Sequence, residues 1–404
     1  MSKVISAAVG GCVVIWGLFA VSSAATSQES GMGTSSSGDA ERSAALDAPD
    51  YLARLQVSRP KPWDSSRAAV TWGSATAAAR AEAEPVAPRP VEHVVFISLD
   101  GFNPQAVSAL GPAGAPTFHR LMSQGASTLN ARTTEEQTRT LPNHSSMVTG
   151  REVATPGGHG VTFNVDNGST IHASAGGYVA SMFDVIHDNG GTTGLYVGKA
   201  KFKLLDRSWS SAHGAPDVTG RDDGRDKIDS YKLADSSTTL KSLLAQLGSP
   251  TPRTLSFVHF DDTDGAGHAS GFMSAAYLDA VTDVDGYVDR ILEAVVANRE
   301  LASRTVVIVS TDHGGESGTF GHSAPSVSAN YTVPFFVWGA GVAAGADLYA
   351  LNPDRANPGT AQPPYTAAVS PIRTGEAANL ITDVLGYGPV PGSTFNSDQS
   401  LDLS

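Results

Sequence analysis

Three aspartates and three histidines stand at the ends of apolar runs or shortly after them. They are Asp100, Asp264, His268, Asp312, His313 and His322. Ligand sites of open α/β sheets form beyond the carboxyl ends of the strands, so the three runs would bring these side chains together. Carboxylates held that close repel one another unless a cation neutralises them. The set therefore suits two zinc ions, each with a position open for substrate, although ligand type alone does not distinguish zinc from manganese or iron.

A hydroxyl stands beside these candidate ligands in the segment TLPNHSSMVTG, residues 140–150. Pro142 suits the first turn of a helix, because an N–H is not needed there. Thr140 would then lie at the helix start, where free backbone N–H groups and the positive end of the helix dipole point outward. It either caps the helix or presents its hydroxyl to an anion.

Buried strands alternating with amphipathic helices must position these groups. Strand-like runs cover residues 91–100, 192–199, 253–262, 304–314 and 331–339, and helical patterns cover residues 116–125 and 238–248. This alternation predicts an α/β fold with a mostly parallel sheet covered on both faces. The D-x-D-G at residues 283–286 could suggest a calcium loop, but valines at helical spacing over residues 279–296 favour an amphipathic helix.

Residues 1–90 differ in composition from the rest of the sequence. Lys3 and the apolar run that follows it, with small residues at 22–25, predict an export signal over residues 1–25; an uncleaved membrane anchor is the alternative. Residues 26–90 read as a flexible Ser/Ala/Pro-rich linker, and residues 91–404 as one α/β domain that carries the candidate ligands. Cys12 is the only cysteine, so a mature chain would build a metal site from His, Asp and Glu.

Charge limits the partners of the protein. The 404 residues carry a formal net charge of −13, which argues against binding to nucleic-acid duplexes. An acidic protein that handles phosphates needs local positive charge, most simply metal ions. Contact with a membrane is expected only through the N-terminal segment, if that segment is retained.

The order of these motifs resembles the type I phosphodiesterase/nucleotide pyrophosphatase family of the alkaline phosphatase superfamily. The matching motifs are ISLDGF, TRTLPNHSSMVTG, GGHGVTFN, DDTDGAGHASG and STDHGG…GH, and the resemblance covers about residues 91–400. It implies an alkaline-phosphatase-like three-layer α/β/α sandwich. It also implies an exported hydrolase of phosphodiester or pyrophosphate bonds that acts on a small phosphate ester, in some cases a nucleotide.

The resemblance also assigns residues to roles. Asp264, His268 and His322 would hold one zinc ion. The second ion would be held by Asp100, Asp312, His313 and Thr140. Thr140 would be the nucleophile that forms a phosphothreonine intermediate, and Asn164 would hydrogen-bond a phosphate oxygen.

Substrate choice rests on the segment GLYVGKAKFKLLD. Lys199 and Lys201 follow a strand and would bind a second anionic group of the substrate; a solvated basic loop is the alternative. A similar K-x-K occurs in phosphonoacetate hydrolases of this superfamily, so that activity and phosphomonoester hydrolysis remain alternatives. A non-catalytic binding module on the same scaffold is the alternative from another class, although every ligand and nucleophile position is filled.

Overall fold

The computed structural model describes residues 90–219, 221, 223–396 and 400–404. The predicted signal peptide and all of the predicted linker except its last residue lie outside the described residues. Among the described residues, no helix combines the length and apolar character needed to cross a bilayer.

A single mixed sheet forms the centre of the described domain. Its strands are β1 (His93–Leu99), β2 (Ala126–Arg132), β3 (Thr193–Val197), β4 (Ser230–Leu233), β5 (Leu255–Phe260), β6 (Thr305–Ser310), β7 (Thr332–Gly339) and β8 (Ala346–Asp347). They are ordered β4-β3-β5-β1-β6-β7-β2-β8. Neighbours from β4 to β6 run parallel, whereas β7 is antiparallel to both β6 and β2. The predicted α/β class with a mostly parallel sheet is confirmed.

Helices connect the strands and cover both faces. They are α1 (Gln105–Gly114), α2 (Pro116–Gln124), α3 (Thr140–Thr149), α4 (Ile171–Ala175), α5 (Met182–Asp188), α6 (Lys203–Ser208), α7 (Ser236–Leu247), α8 (Asp262–Ser270), α9 (Ala275–Val296), α10 (Arg299–Ala302), α11 (Ser328–Tyr331), α12 (Leu348–Leu351) and α13 (Ala377–Val384). Short 3-10 turns lie at Ala200–Phe202 and Thr374–Glu376. The predicted amphipathic helix over residues 279–296 forms the greater part of α9.

Alternation along the central strands divides the core into two layers. In β1, Val94 and Phe96 pack into one apolar cluster with residues of α3, α5 and α13. Val95 and Ile97 point to the other face and join residues of α1, α2, α7 and α9. Successive side chains of a strand face opposite ways, so a run buried throughout must be covered on both sides. The result is the expected three-layer α/β/α arrangement.

The sheet order brings four chain segments to one edge. Strands β3, β5, β1 and β6 are parallel neighbours, so their carboxyl ends lie side by side. Residues 198–199, 261–264, 100–101 and 311–313 follow directly after those ends. The three candidate aspartates are therefore placed within a few residues of core strands, whereas His322 lies further along the segment that follows β6.

Candidate metal centre

Asp100 and Asp312 are fixed by the turns that follow β1 and β6. Both side chains are fully buried. Gly101 has a φ of 70°, and its N–H donates to Asp312 Oδ1 over 3.1 Å. A Cβ at position 101 would lie 2.9 Å from the Asp264 Cα atom, so only glycine permits this close approach. This turn therefore links the ligand candidates of three neighbouring strands.

Asp264 and His268 stand one helical turn apart on α8, which begins directly after β5. Residues at i and i+4 share a helix face, and His268 Nε2 lies 3.3 Å from Asp264 Oδ1. His268 Nδ1–H donates to the carbonyl oxygen of Phe320 over 2.7 Å. The four-residue spacing seen in the sequence thus aims both side chains at one point.

His313 and His322 complete the group from the segment that follows β6. Their rings stack with centroids 3.5 Å apart. His313 Nε2 lies 3.4 Å from both Asp100 Oδ1 and Asp312 Oδ2, and His322 Nε2 lies 3.5 Å from Asp264 Oδ1. His313 Nδ1–H donates to Gly314 O over 2.8 Å, and His322 Nδ1–H donates to Thr138 O over 2.6 Å. Each Nδ1 must carry the proton, since a carbonyl only accepts, and this leaves Nε2 as the ligand atom.

Unpaired buried atoms converge where these side chains meet. Asp100 Oδ1, Asp264 Oδ1, Asp312 Oδ2 and His313 Nε2 are buried without a hydrogen-bond partner among the described residues. The other oxygen of each carboxylate is bonded to protein groups, so the exception is confined to the atoms that face one another. Buried polar atoms are seldom left unpaired. The donor set therefore fits divalent metal ions.

Two overlapping triads could each hold an ion. One is Asp100, Asp312 and His313, and the other is Asp264, His313 and His322, with ligand atoms in each triad within 4.8 Å of one another. His313 belongs to both triads, and His268 adjoins the second. The three aspartates and three histidines proposed from the sequence as metal ligands are thus brought together in one place.

The acids nearest Lys199 are held ionised. Burial would raise the pKa of Asp100, but the Lys199 ammonium, the hydrogen bond from His259 and the nearby His313 outweigh it and hold the pKa well below its usual value. Burial would also raise the pKa of Asp264, and the charges of His268 and Lys199 lower it instead. Both carboxylates are therefore in the form that binds a metal.

The pKa values of Asp312 and His313 are raised, in contrast to those of Asp100 and Asp264. Burial and the neighbouring Asp100 charge raise the pKa of Asp312 to about 6. Burial would lower the pKa of His313, but Asp312 and Asp100 raise it to about 9. In the absence of a metal, both ring nitrogens of His313 are therefore protonated at neutral pH, and the side chain is positively charged.

Thr140 lies in the first turn of α3 and is not its N-cap. Arg139 occupies the cap position without a side-chain cap bond, and Thr140 is 1% exposed. His144 Nδ1–H donates to Thr140 O over 2.8 Å, and the same nitrogen lies 3.6 Å from Asp312 Oδ2. His144 therefore joins the first turn of α3 to the candidate ligands.

The predicted substrate residues have different surroundings. Asn164 Oδ1 accepts a hydrogen bond from the N–H of Leu141 over 3.0 Å, so Asn164 lies at the start of α3. The Lys199 ammonium contacts Asp264, and it lies 2.9 Å from Asp100 Oδ2. Lys201 lies in the 3-10 turn Ala200–Phe202 and is half-buried. Contact of any of these residues with a substrate stays a prediction.

His259 is a residue of the centre that the sequence did not single out. Its Nδ1 accepts from the N–H of Gly198 over 3.3 Å, so its Nε2–H donates to Asp100 Oδ2 over 2.8 Å. The residue sits inside the apolar run of β5, where a lone histidine has no distinguishing spacing. His159, by contrast, bonds Ser146 and Val161 at buried positions and braces the core.

A third acidic group lies apart from these residues and is already neutralised. His187, Asp217 and Asp223 offer ligand atoms close together. The Lys227 ammonium contacts Asp217 and lies 3.1 Å from Asp188 Oδ1. A cation is thus present in the protein itself at this position.

The sequence profile of the type I phosphodiesterase/nucleotide pyrophosphatase family matches residues 94–330, which is more than half of the chain. A curated relative, GPI ethanolamine phosphate transferase 1 of Yarrowia lipolytica (strain CLIB 122 / E 150), is 31% identical over 112 residues. That match covers 28% of this chain and spans 12% of the relative's length.

The comparison with solved structures gives matches at low sequence identity, of which the first below shares the fold. Murine ectonucleotide pyrophosphatase/phosphodiesterase 5, as an inactive variant in complex with AMP, is 12% identical with a TM-score of 0.52, over 74% of this chain and 96% of that chain. A protein in the alkaline phosphatase superfamily from Vibrio parahaemolyticus is 11% identical with a TM-score of 0.49, over 76% and 69% of the two chains. The likeness to the murine protein concerns the fold alone.

Proposed function

The chain belongs to the type I phosphodiesterase/nucleotide pyrophosphatase family, and from this premise we propose that it is an exported, metal-dependent hydrolase that attacks phosphate esters with Thr140. Family membership supports hydrolysis of phosphoric esters. The metal, the nucleophile, the preference for diesters or pyrophosphates and the export are parts of the proposal.

One observation carries the proposal. In each of the three carboxylates, one oxygen is hydrogen-bonded to the protein and the other has no hydrogen-bond partner among the described residues. Asp312 Oδ1 accepts from the N–H groups of Gly101 and His313, whereas Oδ2 has no partner among the described residues. Asp100 and Asp264 repeat the pattern, and three imidazoles direct Nε2 toward the same place. A ligand that is oriented through its other polar atom is typical of metal sites.

The proposed ligand sets are those that the family resemblance implies, and they differ from the geometric triads, in which His313 takes the place of His268 beside Asp264 and His322. Asp264, His268 and His322 would hold one ion; Asp100, Asp312, His313 and Thr140 would hold the other. We propose Zn²⁺ because carboxylate and imidazole ligands suit it. Bound there, two divalent ions would lower the pKa of the Thr140 hydroxyl and offset the negative charge of the phosphoryl group.

Thr140 is the proposed nucleophile because it opens α3 next to the ligands. Its oxygen would form a bond to phosphorus as the bond from phosphorus to the leaving oxygen breaks. The leaving group departs with a proton from solvent, and water then hydrolyses the phosphothreonine. The amino end of α3 supports negative charge at this position, and Asn164, which holds the Leu141 N–H, is the proposed contact to a phosphate oxygen.

The proposed substrates are small phosphodiesters or pyrophosphates, including nucleotides. A fold neighbour, the murine protein described above, was solved with AMP, and the family's description names both bond types. Lys201 is the proposed contact to a second anionic group. Phosphomonoester or phosphonoacetate hydrolysis is the second candidate, favoured by the K-x-K at residues 199–201.

The test compares three substrates on the full chain loaded with zinc. We expect hydrolysis of p-nitrophenyl thymidine monophosphate to exceed that of p-nitrophenyl phosphate and phosphonoacetate, and to stop in the presence of a chelator. A strong preference for the monoester or the phosphonate would contradict diester hydrolysis and favour the second candidate function, phosphomonoester or phosphonoacetate hydrolysis. No hydrolysis of any substrate would favour a binding module, and elemental analysis of the same sample identifies the metal.

A further inference from the structure

Lys199 forms ion pairs with two aspartates of the candidate metal centre, Asp100 and Asp264. Its ammonium contacts Asp264 Oδ2 and lies 2.9 Å from Asp100 Oδ2. The oxygens without a partner are Oδ1 of the same two aspartates, on the side of the imidazoles. Asp264 belongs to one proposed metal site and Asp100 to the other. Lys199 thus pairs with Oδ2 of both residues and leaves both Oδ1 atoms available to metal ions.

Lys199 follows the end of β3, where contacts of Gly198 hold the backbone in place. Gly198 donates its N–H to His259, and a Cβ at position 198 would lie 2.5 Å from Asp261 Oδ1. The segment is therefore packed tightly against residues that follow β5. The Lys199 side chain is 10% exposed, so its ammonium has left water and is compensated mainly by the two aspartates.

Buried charges of one sign are costly in a folded protein unless opposite charges lie beside them. Asp100, Asp264 and Asp312 are 0 to 3% exposed. Lys199 is the lysine whose ion pairs join two of these carboxylates, and Arg side chains form no ion pair with them among the described residues. In metal-free protein, Lys199 is therefore a positive charge that is fixed beside Asp100 and Asp264, in addition to the charge of protonated His313.

We propose that Lys199 is an internal counter-cation that stabilises the metal-free form of the protein and weakens its affinity for divalent metal ions. The inference rests on the metal-dependent function proposed above. It assigns Lys199 a role toward the ligands, which differs from the substrate contact predicted from the sequence.

The two effects have one physical origin. The ammonium attracts the carboxylates, which favours the folded metal-free protein, and it repels a divalent ion bound to those same carboxylates. Removing its charge raises the free energy of the folded metal-free state more than that of the metal-loaded state. A less stable metal-free protein then binds metal more tightly, because binding relieves the repulsion among the aspartates.

The experiment compares the full chain with Lys199→Met, which keeps the aliphatic stem, and Lys199→Gln, which keeps a neutral hydrogen-bond donor. Lys203→Met is the matched control, since Lys203 is exposed on the neighbouring turn of the same segment. Unfolding temperatures are measured after chelator treatment and again with Zn²⁺. The Zn²⁺ dissociation constant is measured by competition with a chromogenic chelator.

Both charge-removing variants should bind Zn²⁺ at least about tenfold more tightly than the unchanged chain. Their metal-free unfolding temperature should fall by about 3 °C or more, and that of the zinc-loaded forms should change less. Lys203→Met should match the unchanged chain in both measurements. Unchanged or weaker Zn²⁺ binding by Lys199→Met and Lys199→Gln would overturn the proposal. If Lys199→Met does not fold without metal, Lys199→Gln decides.

The same measurements separate this inference from the proposed function. Tight Zn²⁺ binding without hydrolysis of any phosphate ester would refute the function and leave the inference standing. No Zn²⁺ binding by the unchanged chain would refute both. Normal hydrolysis with unaltered Zn²⁺ affinity in the Lys199 variants would refute the inference alone.

Discussion

His259 donates its Nε2–H to Asp100 Oδ2 over 2.8 Å, which links β5 to the end of its neighbour β1. The contact is neutral on the histidine side, because Nδ1 accepts from the N–H of Gly198. His259 therefore orients Asp100 without adding charge, whereas Lys199 adds charge to the same oxygen. The two residues should have opposite effects on metal affinity.

His259→Phe should weaken Zn²⁺ binding by roughly 10- to 100-fold, since loss of an orienting hydrogen bond has effects of that size at metal sites. The measurement is the chelator competition used for Lys199. His213→Phe is the control, because His213 is exposed and its Nδ1–H donates to the carbonyl oxygen of Arg207. Unchanged affinity in His259→Phe would show that Asp100 needs no support from β5.

Thr140→Ala should abolish turnover while the metals stay bound. Loss of a nucleophile lowers kcat by roughly 10³-fold or more, and the neighbouring ligands reach the site through other elements. The measurements are kcat with p-nitrophenyl thymidine monophosphate and zinc content after dialysis. Thr140→Ser, which keeps a hydroxyl, should recover part of the rate. Activity near that of the unchanged chain in Thr140→Ala would remove the residue from the mechanism.

His322→Ala should reduce the bound zinc after dialysis, by up to one ion per chain, and reduce activity with it. The reason is that His322 Nε2 faces Asp264 Oδ1 at 3.5 Å within a triad of candidate ligands. Elemental analysis gives the metal content, and circular dichroism checks folding. His213→Ala is expected to retain full zinc content. Retention of full zinc content by His322→Ala as well would mean that His322 is not a ligand.

Metal affinity should rise with pH. His313, whose pKa in the metal-free protein is raised to about 9 by Asp312 and Asp100 against the effect of burial, must lose a proton before Nε2 can bind a metal. Between about pH 6.5 and 9 the affinity should therefore increase about tenfold per pH unit and then level off. Calorimetry in buffers of different ionisation enthalpy counts the released protons, and no proton release at pH 7.5 would contradict this.

The same shift predicts how pH affects the metal-free fold. The folded-state pKa of His313 lies above its unfolded value, so its contribution to stability is complete below about pH 6.5 and is lost as pH rises through about 9. The raised pKa of Asp312, about 6, acts in the same direction at lower pH. Metal-free protein should unfold at a lower temperature at pH 9 than at pH 6.

The central strands and the positions of the candidate ligands at strand ends could be predicted from the sequence because each carries a local signal. Continuous apolar runs mark β1, β5 and β6, and Asp100 and Asp312 follow two of them directly. Asp264 was predicted at a strand end, but it lies within α8, and its spacing to His268 is helical. The two side chains still lie together at the predicted sheet edge, because the first turn of α8 starts there.

Other parts depended on contacts between distant segments and carried no local signal. Strands β4 and β8 are short and partly exposed, and β2 contains polar residues at its centre, so none reads as a buried run. The reversed direction of β7 follows from its pairing with β6 and β2. The partners of Lys199 and the role of His259 likewise exist only when β3, β5 and β1 lie side by side.

The bond between His268 and residue 320 uses the backbone carbonyl, while the Phe320 side chain is 59% exposed. Nothing in that hydrogen bond requires an aromatic ring at this position. Evolution is therefore free to exchange residue 320 without disturbing His268, provided that the loop keeps its path. The side chain at position 320 can thus vary while the candidate ligand His268 keeps its orientation.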